Sequence, residues 1–170
     1  MKLALHKESE QPSLDLQLFR KLYPGRFEVR PGRDGIDETF SITCRRTGDF
    51  IASTNYWYAA SHAHLRASVI AHCLSQGITI PPASLAFQYF RMDFPPPYHI
   101  EKFEHEMEGP GFSIVARNCE YVLNIFGDSE NERLFASVIA EVLNHKFTET
   151  TFSANAKKSL RYRWSRKAGV

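Results

Sequence analysis

Two similar stretches decide how this chain is organised: "RASVIAHCL" covers residues 66–74, and "FASVIAEVL" covers residues 135–143. Both contain the pentamer Ala-Ser-Val-Ile-Ala, and in both the apolar residues recur at the spacing of one helix face. The sequence therefore predicts two amphipathic helices, over residues 62–76 and 128–147.

The segments between and before these helices have the pattern of strands and turns. A short helix is predicted over 13–22 because leucines recur there at helical spacing, at Leu14, Leu18 and Leu22. Turn residues form "PGRDG" (31–35), "RTGD" (46–49) and "GPG" (109–111). Alternating or β-branched and aromatic segments predict strands over 26–30, 39–45, 49–58, 84–94, 98–108, 112–118 and 120–127.

The order of these elements repeats along the chain. "FSI" occurs at 40–42 and again 72 residues later, and the two Ala-Ser-Val-Ile-Ala stretches are 69 residues apart. Two strand-strand-helix units in the same order favour an internal duplication. We therefore predict an α+β fold with an antiparallel sheet and two main helices. Its parts are an α-β-β-β-α unit (1–80), a β-β-β-β-α unit (81–150) that shares its core, and a C-terminal tail (151–170).

Composition restricts the class of protein. Apolar residues make up 43% of the chain and charged residues 24%, which is typical of a folded globular protein. No apolar run reaches the roughly 18 residues of a membrane helix, and the apolar stretch at the N-terminus is too short for a secretory signal. The three cysteines lie far apart in the sequence, so we predict free thiols in the cytoplasm or another reducing compartment.

Charge is distributed unevenly along the chain. The segment "KKSLRYRWSRK" (157–167) contains six basic residues and no acidic residue, and without it the net charge changes from +2 to −4. Basic side chains interleaved with aromatic ones are suited to neutralising phosphates and stacking on bases. This pattern favours RNA as the ligand of the tail, with a solvated tail or a tail docked on the acidic body as alternatives. The predicted nucleic-acid-binding residues are Lys157, Lys158, Arg161, Tyr162, Arg163, Trp164, Arg166 and Lys167, together with Arg66 in the first main helix.

The pattern of residues 13–76 predicts the order helix-strand-strand-strand-helix, in which "GIDETFSITC" (35–44) leads into and contains the second strand. In this order the segment resembles a double-stranded-RNA-binding domain. That family begins its second helix with a KKxAK lysine cluster, whereas this chain has "SHAHLRAS" (61–68), in which only Arg66 carries a permanent charge. The second unit begins its helix with "DSENER" (128–133), which would repel phosphate. The resemblance therefore implies a degenerate member that serves as a protein-protein or dimerisation module.

Two further clusters could carry chemistry. His62, His64 and His72 invite a metal site, but eight residues of helix separate His64 from His72 by about 12 Å, so no metal site is predicted. In a strand over 98–108, one side would carry His99, Glu101, Phe103, His105 and Met107, and the other Lys102, Glu104, Glu106 and Glu108. We predict a solvated glutamate face, with docking of the tail of this chain or of a copy as the alternative.

No catalytic motif of the GxSxG, HExxH, P-loop or GxGxxG type occurs in the sequence. We therefore predict a non-enzymatic binding and assembly module without a cofactor. Its folded body would contact a protein partner or a second copy, and its tail RNA, without binding membrane. Two alternatives stay open. A helix followed by four strands resembles a hotdog-fold thioesterase or dehydratase, and the chain could also be an inhibitor or immunity-type protein that binds another protein.

Overall fold

The computed structural model describes residues 11–34, 37–54, 60–76 and 84–148. Four helices and six strands alternate along these ranges. The helices are α1 (Leu14–Leu22), α2 (Ala60–Leu74), α3 (Leu85–Asp93) and α4 (Glu130–Thr148). The strands are β1 (Phe27–Asp34), β2 (Asp37–Cys44), β3 (Phe50–Thr54), β4 (His99–His105), β5 (Gly109–Val115) and β6 (Tyr121–Phe126).

The six strands form one antiparallel sheet in the order β1-β2-β3-β6-β5-β4, so the fold is α+β as predicted. Each half of the chain contributes three consecutive strands joined as hairpins. The halves meet at the β3–β6 pair, where Ser53 lies opposite Asn124. The strand order is therefore palindromic about that pair, and β1 and β4 form the two edges.

The helices cover the sheet and pack on one another across the two halves. α2 lies against β1, β2 and β3, α4 lies against β4, β5 and β6, and the two contact each other. We call α1 and α3 the opening helices of the two halves, and α2 and α4 the closing helices. Each opening helix packs on the closing helix of the other half: α1 contacts α4, and α3 contacts α2. One hydrophobic cluster contains buried residues from both halves, among them Phe19, Ile70, Phe90 and Ile139.

The strand predicted over 84–94 is wrong, because these residues form α3. The Ser84 hydroxyl accepts a hydrogen bond from the Phe87 backbone N–H and caps the first turn. Phe90 and Phe94 are buried and Phe87 packs beside them, which is helical spacing and not alternation. The second half is therefore α-β-β-β-α, and not the predicted β-β-β-β-α.

Two of the predicted turns are also wrong. β1 continues through Pro31 and Gly32, and Pro31 lies opposite Phe40. An edge strand tolerates proline, since its N–H side does not need a partner strand. β5 begins at Gly109, within the predicted "GPG" turn, and the actual turn covers residues 106–108. The predicted "RTGD" hairpin is confirmed between β2 and β3.

The two halves carry the same irregularities at equivalent positions. β3 has one extra residue, Ile51, opposite the step from Ile42 to Thr43, and β6 has one extra residue, Val122, opposite the step from Ile114 to Val115. A bulge directs two successive residues towards one side of the sheet. Accordingly, both extra residues are buried in the core.

The opening helices match as closely. Each spans nine residues, begins after a capping serine, and ends where the backbone N–H of the next residue donates to a phenylalanine carbonyl. Aligned on these caps, six identical residue pairs lie 71 positions apart: Ser13/Ser84, Leu14/Leu85, Gln17/Gln88, Phe19/Phe90, Arg20/Arg91 and Pro24/Pro95. These matches support a duplication, although common ancestry of the halves stays a prediction.

Each closing helix also holds the start of its own half's first strand. The Ser75 hydroxyl, just after α2, accepts from the Phe27 backbone N–H at 2.9 Å. Asn144 of α4 accepts from the Tyr98 backbone N–H and donates to the Tyr98 carbonyl, both at 2.8 Å. These bonds fix the entry of the chain into each edge strand, and the second brings the end of α4 beside the start of β4.

Candidate functional site

Of the nine predicted nucleic-acid-binding residues, the structure describes Arg66 alone. The other eight fall in residues 149–170, outside the described ranges, and they stay predictions. α4 ends at Thr148, so the basic segment 157–167 begins nine residues beyond the last described helix.

Arg66 is half-buried and engages its own chain. Its Nη1 donates to the carbonyls of Tyr121 and Val122, at 3.3 and 3.2 Å, and its guanidinium lies 5.9 Å from the centre of the Phe94 ring. Burial lowers the pKa of the guanidinium below its usual value. Arg66 therefore supports the bulge of β6 and binds α2 to the sheet.

A polar cluster surrounds this contact at the start of α2. His62 Nδ1 lies 3.9 Å from the Asp93 carboxylate, and Asn118 donates to the Asp93 carbonyl at 3.0 Å. Burial raises the pKa of Asp93, and the nearby Glu120 adds to the rise while His62 opposes it. Within the described ranges, no group of three or more His, Cys, Asp or Glu side chains could hold a metal ion.

The three cysteines differ in burial. All three are free thiols; Cys44 and Cys73 are buried and Cys119 is exposed. Burial raises the pKa of Cys73 to about 12, so this thiol stays protonated at neutral pH. The prediction that Cys73 belongs to the core is confirmed.

His72 lies at the contact between α2, α3 and α4. Its Nε2 is buried without a hydrogen-bond partner in the described part of the chain, and its ring meets the Phe87 ring edge-on at 6.2 Å. Burial lowers the pKa of His72, and the positive charge of Lys146 lowers it further. The neutral imidazole is therefore the form that suits the folded protein.

We expect the folded protein to lose stability in acid through this histidine. His72 takes up a proton more readily when unfolded, so its contribution is complete above its unfolded pKa of about 6.5 and declines as the pH falls towards its lowered folded pKa. Urea unfolding between pH 7.5 and 5 should show a smaller pH dependence for His72→Phe than for the wild type. An unchanged slope in His72→Phe would contradict the assignment.

The outer face of α1 is apolar and open. Leu14, Leu18 and Leu22 are 83%, 48% and 46% exposed, whereas Leu16 and Phe19 are buried. The leucine spacing that predicted this helix therefore lies on the side that faces away from the core. The equivalent face of α3 exposes Leu85.

The sheet face opposite the buried Ile42 and Ile114 carries a continuous polar row. Its six members lie side by side, one per strand: Arg30, Ser41, Ser53, Asn124, Ser113 and Glu101. The Ser113 hydroxyl donates to the Asn124 side-chain oxygen at 2.8 Å. The row therefore crosses both halves without a break, and Ser113 within it is buried.

An aromatic patch lies on this face at the end of the β4–β5 hairpin. The Phe103 and Phe126 rings meet edge-on at 5.3 Å, and the His105 ring lies 6.4 Å from Phe126. Gly111 lies between them in the sheet, and a Cβ there would collide with the Phe103 ring and the Ile125 carbonyl. Met107 follows in the turn and is 89% exposed. We call Phe103, His105, Met107 and Phe126 the hairpin patch.

The predicted alternation of the β4 segment holds only within the strand. Phe103 and His105 share a side with Glu101, as predicted, and Glu104 lies on the other side. Glu106 and Glu108 belong to the turn and not to the strand. The backbone N–H groups of Met107 and Glu108 both donate to His105 Nδ1 at 3.3 Å, which shapes this turn.

No described helix combines the length and the apolar character that a bilayer span requires. Comparison with family models, with curated proteins and with solved structures yields no match for this chain.

Proposed function

We propose that this protein is a non-enzymatic binding and assembly module, whose basic tail contacts RNA and whose folded body contacts protein. The observation that carries the proposal is the separation of charge: six basic residues lie within 157–167, and the rest of the chain has a net charge of −4. A polyanion is attracted to the tail and repelled by the body.

The chemistry of the tail supports single-stranded or structured RNA as its ligand. Six tail cations that contact phosphates would release counterions from the RNA. A plot of log affinity against log salt concentration should therefore have a slope no steeper than about −4 for a single strand. Tyr162 and Trp164 alternate with arginines in the sequence, and each base stacked on such a ring contributes about 1–3 kcal/mol.

The surface of the body supports protein contact. The three leucines of α1 form an exposed apolar stripe along two turns, beside the Asp15–Arg133 ion pair of 3.3 Å. An exposed stripe of this kind beside charged groups is typical of interaction surfaces. The element order behind the hotdog alternative differs from the observed one, because α3 replaces the first of its four predicted strands.

The test is a titration of labelled single- and double-stranded RNA and DNA with the full chain and with a chain that ends at Thr151, across a salt series. We expect the full chain to bind RNA with a steep salt dependence and the shortened chain to lose at least about 100-fold in affinity at low salt, because all six tail cations are removed. Circular dichroism of the shortened chain verifies that it remains folded.

A full-length Arg45→Gln/Arg46→Gln variant serves as the control, since these exposed arginines lie in the β2–β3 turn of the body. Its RNA affinity should stay within about threefold of that of the wild type. The variant loses only two charges, and salt screens their effect on RNA bound at the tail. Equal binding by the full and shortened chains would assign RNA contact to the body, and no binding at low salt by either would refute the RNA proposal.

A further inference from the structure

The hairpin patch joins apolar rings with negative charge at one place. Phe103, Phe126 and Met107 supply apolar surface, and Met107 is almost fully exposed. Glu101 lies on the same side of β4, where its carboxylate lies 2.9 Å from His99 Nε2, and Glu106 and Glu108 lie in the adjoining turn. Such a surface complements a segment that carries both aromatic rings and cations.

The acidic groups of the turn are open to a partner. Glu106 and Glu108 are exposed, and within the described ranges no basic side chain lies within ion-pair distance of either. Lys102, the nearest lysine in sequence, has its ammonium 5.7 Å from the centre of the Phe112 ring, on the other side of the sheet. The charge of the turn is therefore not neutralised by its own hairpin.

The C-terminal tail starts at the right place to reach this patch. Phe147, in the last turn of α4, lies 6.0 Å from the ring of Tyr98, which directly precedes β4. β4 then runs about 20 Å to the hairpin end, at 3.3 Å per residue. The nine residue-to-residue steps from Thr148 to Lys157 span up to about 30 Å when extended, so the basic segment can reach the patch within one chain.

The sequence of the tail matches the patch in composition. Residues 157–167 contain Tyr162 and Trp164 among six basic residues, without an acidic one. We propose that this segment of the same chain docks on the hairpin patch, with its aromatic rings on Phe103, Phe126 and Met107 and its cations beside Glu101, Glu106 and Glu108. Docking places the tail cations against carboxylates, so docked tail and bound RNA exclude each other. This competition rests on the proposed function, whereas the docking does not.

The docking is tested by backbone amide chemical shifts of the full-length protein at low salt. Tyr162→Ser/Trp164→Ser should shift the amide signals of residues 101–108, 111 and 126, because ring currents and contacts at the patch are lost. The matched control Phe152→Ser removes a tail aromatic outside the basic segment and should leave these signals unchanged. Unchanged hairpin signals in the double variant would overturn the proposal, and so would shifts that vanish on dilution, since these indicate the tail of a second copy.

The competition is tested with Glu106→Gln/Glu108→Gln, which removes two carboxylates of the turn, against Glu104→Gln on the opposite side of the hairpin. The double variant should bind single-stranded RNA about three- to tenfold more tightly at low salt, because the tail cations are released from the turn and become available to phosphates. The affinity of Glu104→Gln should stay within about twofold of that of the wild type, because this single carboxylate acts on the RNA only through screened long-range repulsion. Equal affinities for all three proteins would overturn the competition. Absence of RNA binding by the wild type would refute the proposed function, while the amide shifts would still decide the docking.

Discussion

Phe90→Ala is expected to lower the free energy of unfolding by about 3–5 kcal/mol, the usual cost of removing a buried phenylalanine. The Phe90 side chain is completely buried and has rings on three sides: Phe94 at 5.3 Å, Tyr98 at 6.3 Å and Phe147 at 5.3 Å. Its removal leaves a cavity where α3, β4 and α4 converge. Urea denaturation followed by circular dichroism measures the change.

The control for this prediction is Leu85→Ala, which truncates an exposed residue of the same helix. A surface change of this kind usually stays within about 0.5 kcal/mol. A loss below about 1 kcal/mol in Phe90→Ala would mean that the ring does not occupy a packed site, and would contradict the assignment of 84–94 to a helix facing the core.

Phe19→Ala, at the equivalent position of the first half, should also cost about 3–5 kcal/mol. The Phe19 ring stacks on Phe27 at 5.6 Å and meets Phe135 of α4 edge-on at 6.1 Å. Because Phe135 belongs to the other half, the variant should lower the stability of the whole domain. We expect one cooperative transition at a reduced urea concentration.

Leu14→Ala is the matched control for Phe19→Ala, since this exposed leucine precedes it on α1. It should change the unfolding free energy by about 0.5 kcal/mol or less. The contradicting result would be two separate unfolding transitions in Phe19→Ala, with the second at the urea concentration of the wild-type transition. It would show that the halves unfold independently and that the contact between α1 and α4 contributes little to stability.

Local signals predicted most of the fold. Ser13 at the start of α1 and the acidic first turn of α4 are helix-start signals, and the structure confirms both helices. The hairpin between β2 and β3 was recognisable because turn residues separate its two strand segments. Pro31 and Gly111 misled the turn predictions, because an edge strand accepts proline and because the close contact of β5 with Phe103 and Ile125 requires glycine at position 111.

The segment 84–94 was not recognisable from its own pattern, since seven of its eleven residues are apolar or aromatic and fit either period. A signal was nevertheless present elsewhere in the chain. Ser84, Gln88 and Phe90 match Ser13, Gln17 and Phe19 of a segment with clear helical spacing. Comparison of the two halves with each other, and not periodicity alone, would have identified α3.

The candidate surfaces were predictable only in part. Alternation placed Phe103 and His105 on one side of β4, but the contact with Phe126 depends on the register of three strands around Gly111. Arg66 was selected for its charge, and the sequence did not reveal that the β6 bulge offers it two carbonyls. Long-range register and bulges arise from packing across the sheet, which no local pattern records.

The measurement that tests the central claim most directly is ultraviolet cross-linking of single-stranded RNA to the full chain, followed by mass spectrometry of the modified peptides. The proposed function predicts adducts at Tyr162 and Trp164, which lose intensity as salt is raised. Adducts confined to aromatic residues of the folded body, such as the exposed Phe50 of β3 and Tyr121 of β6, would contradict it and assign RNA contact to the sheet.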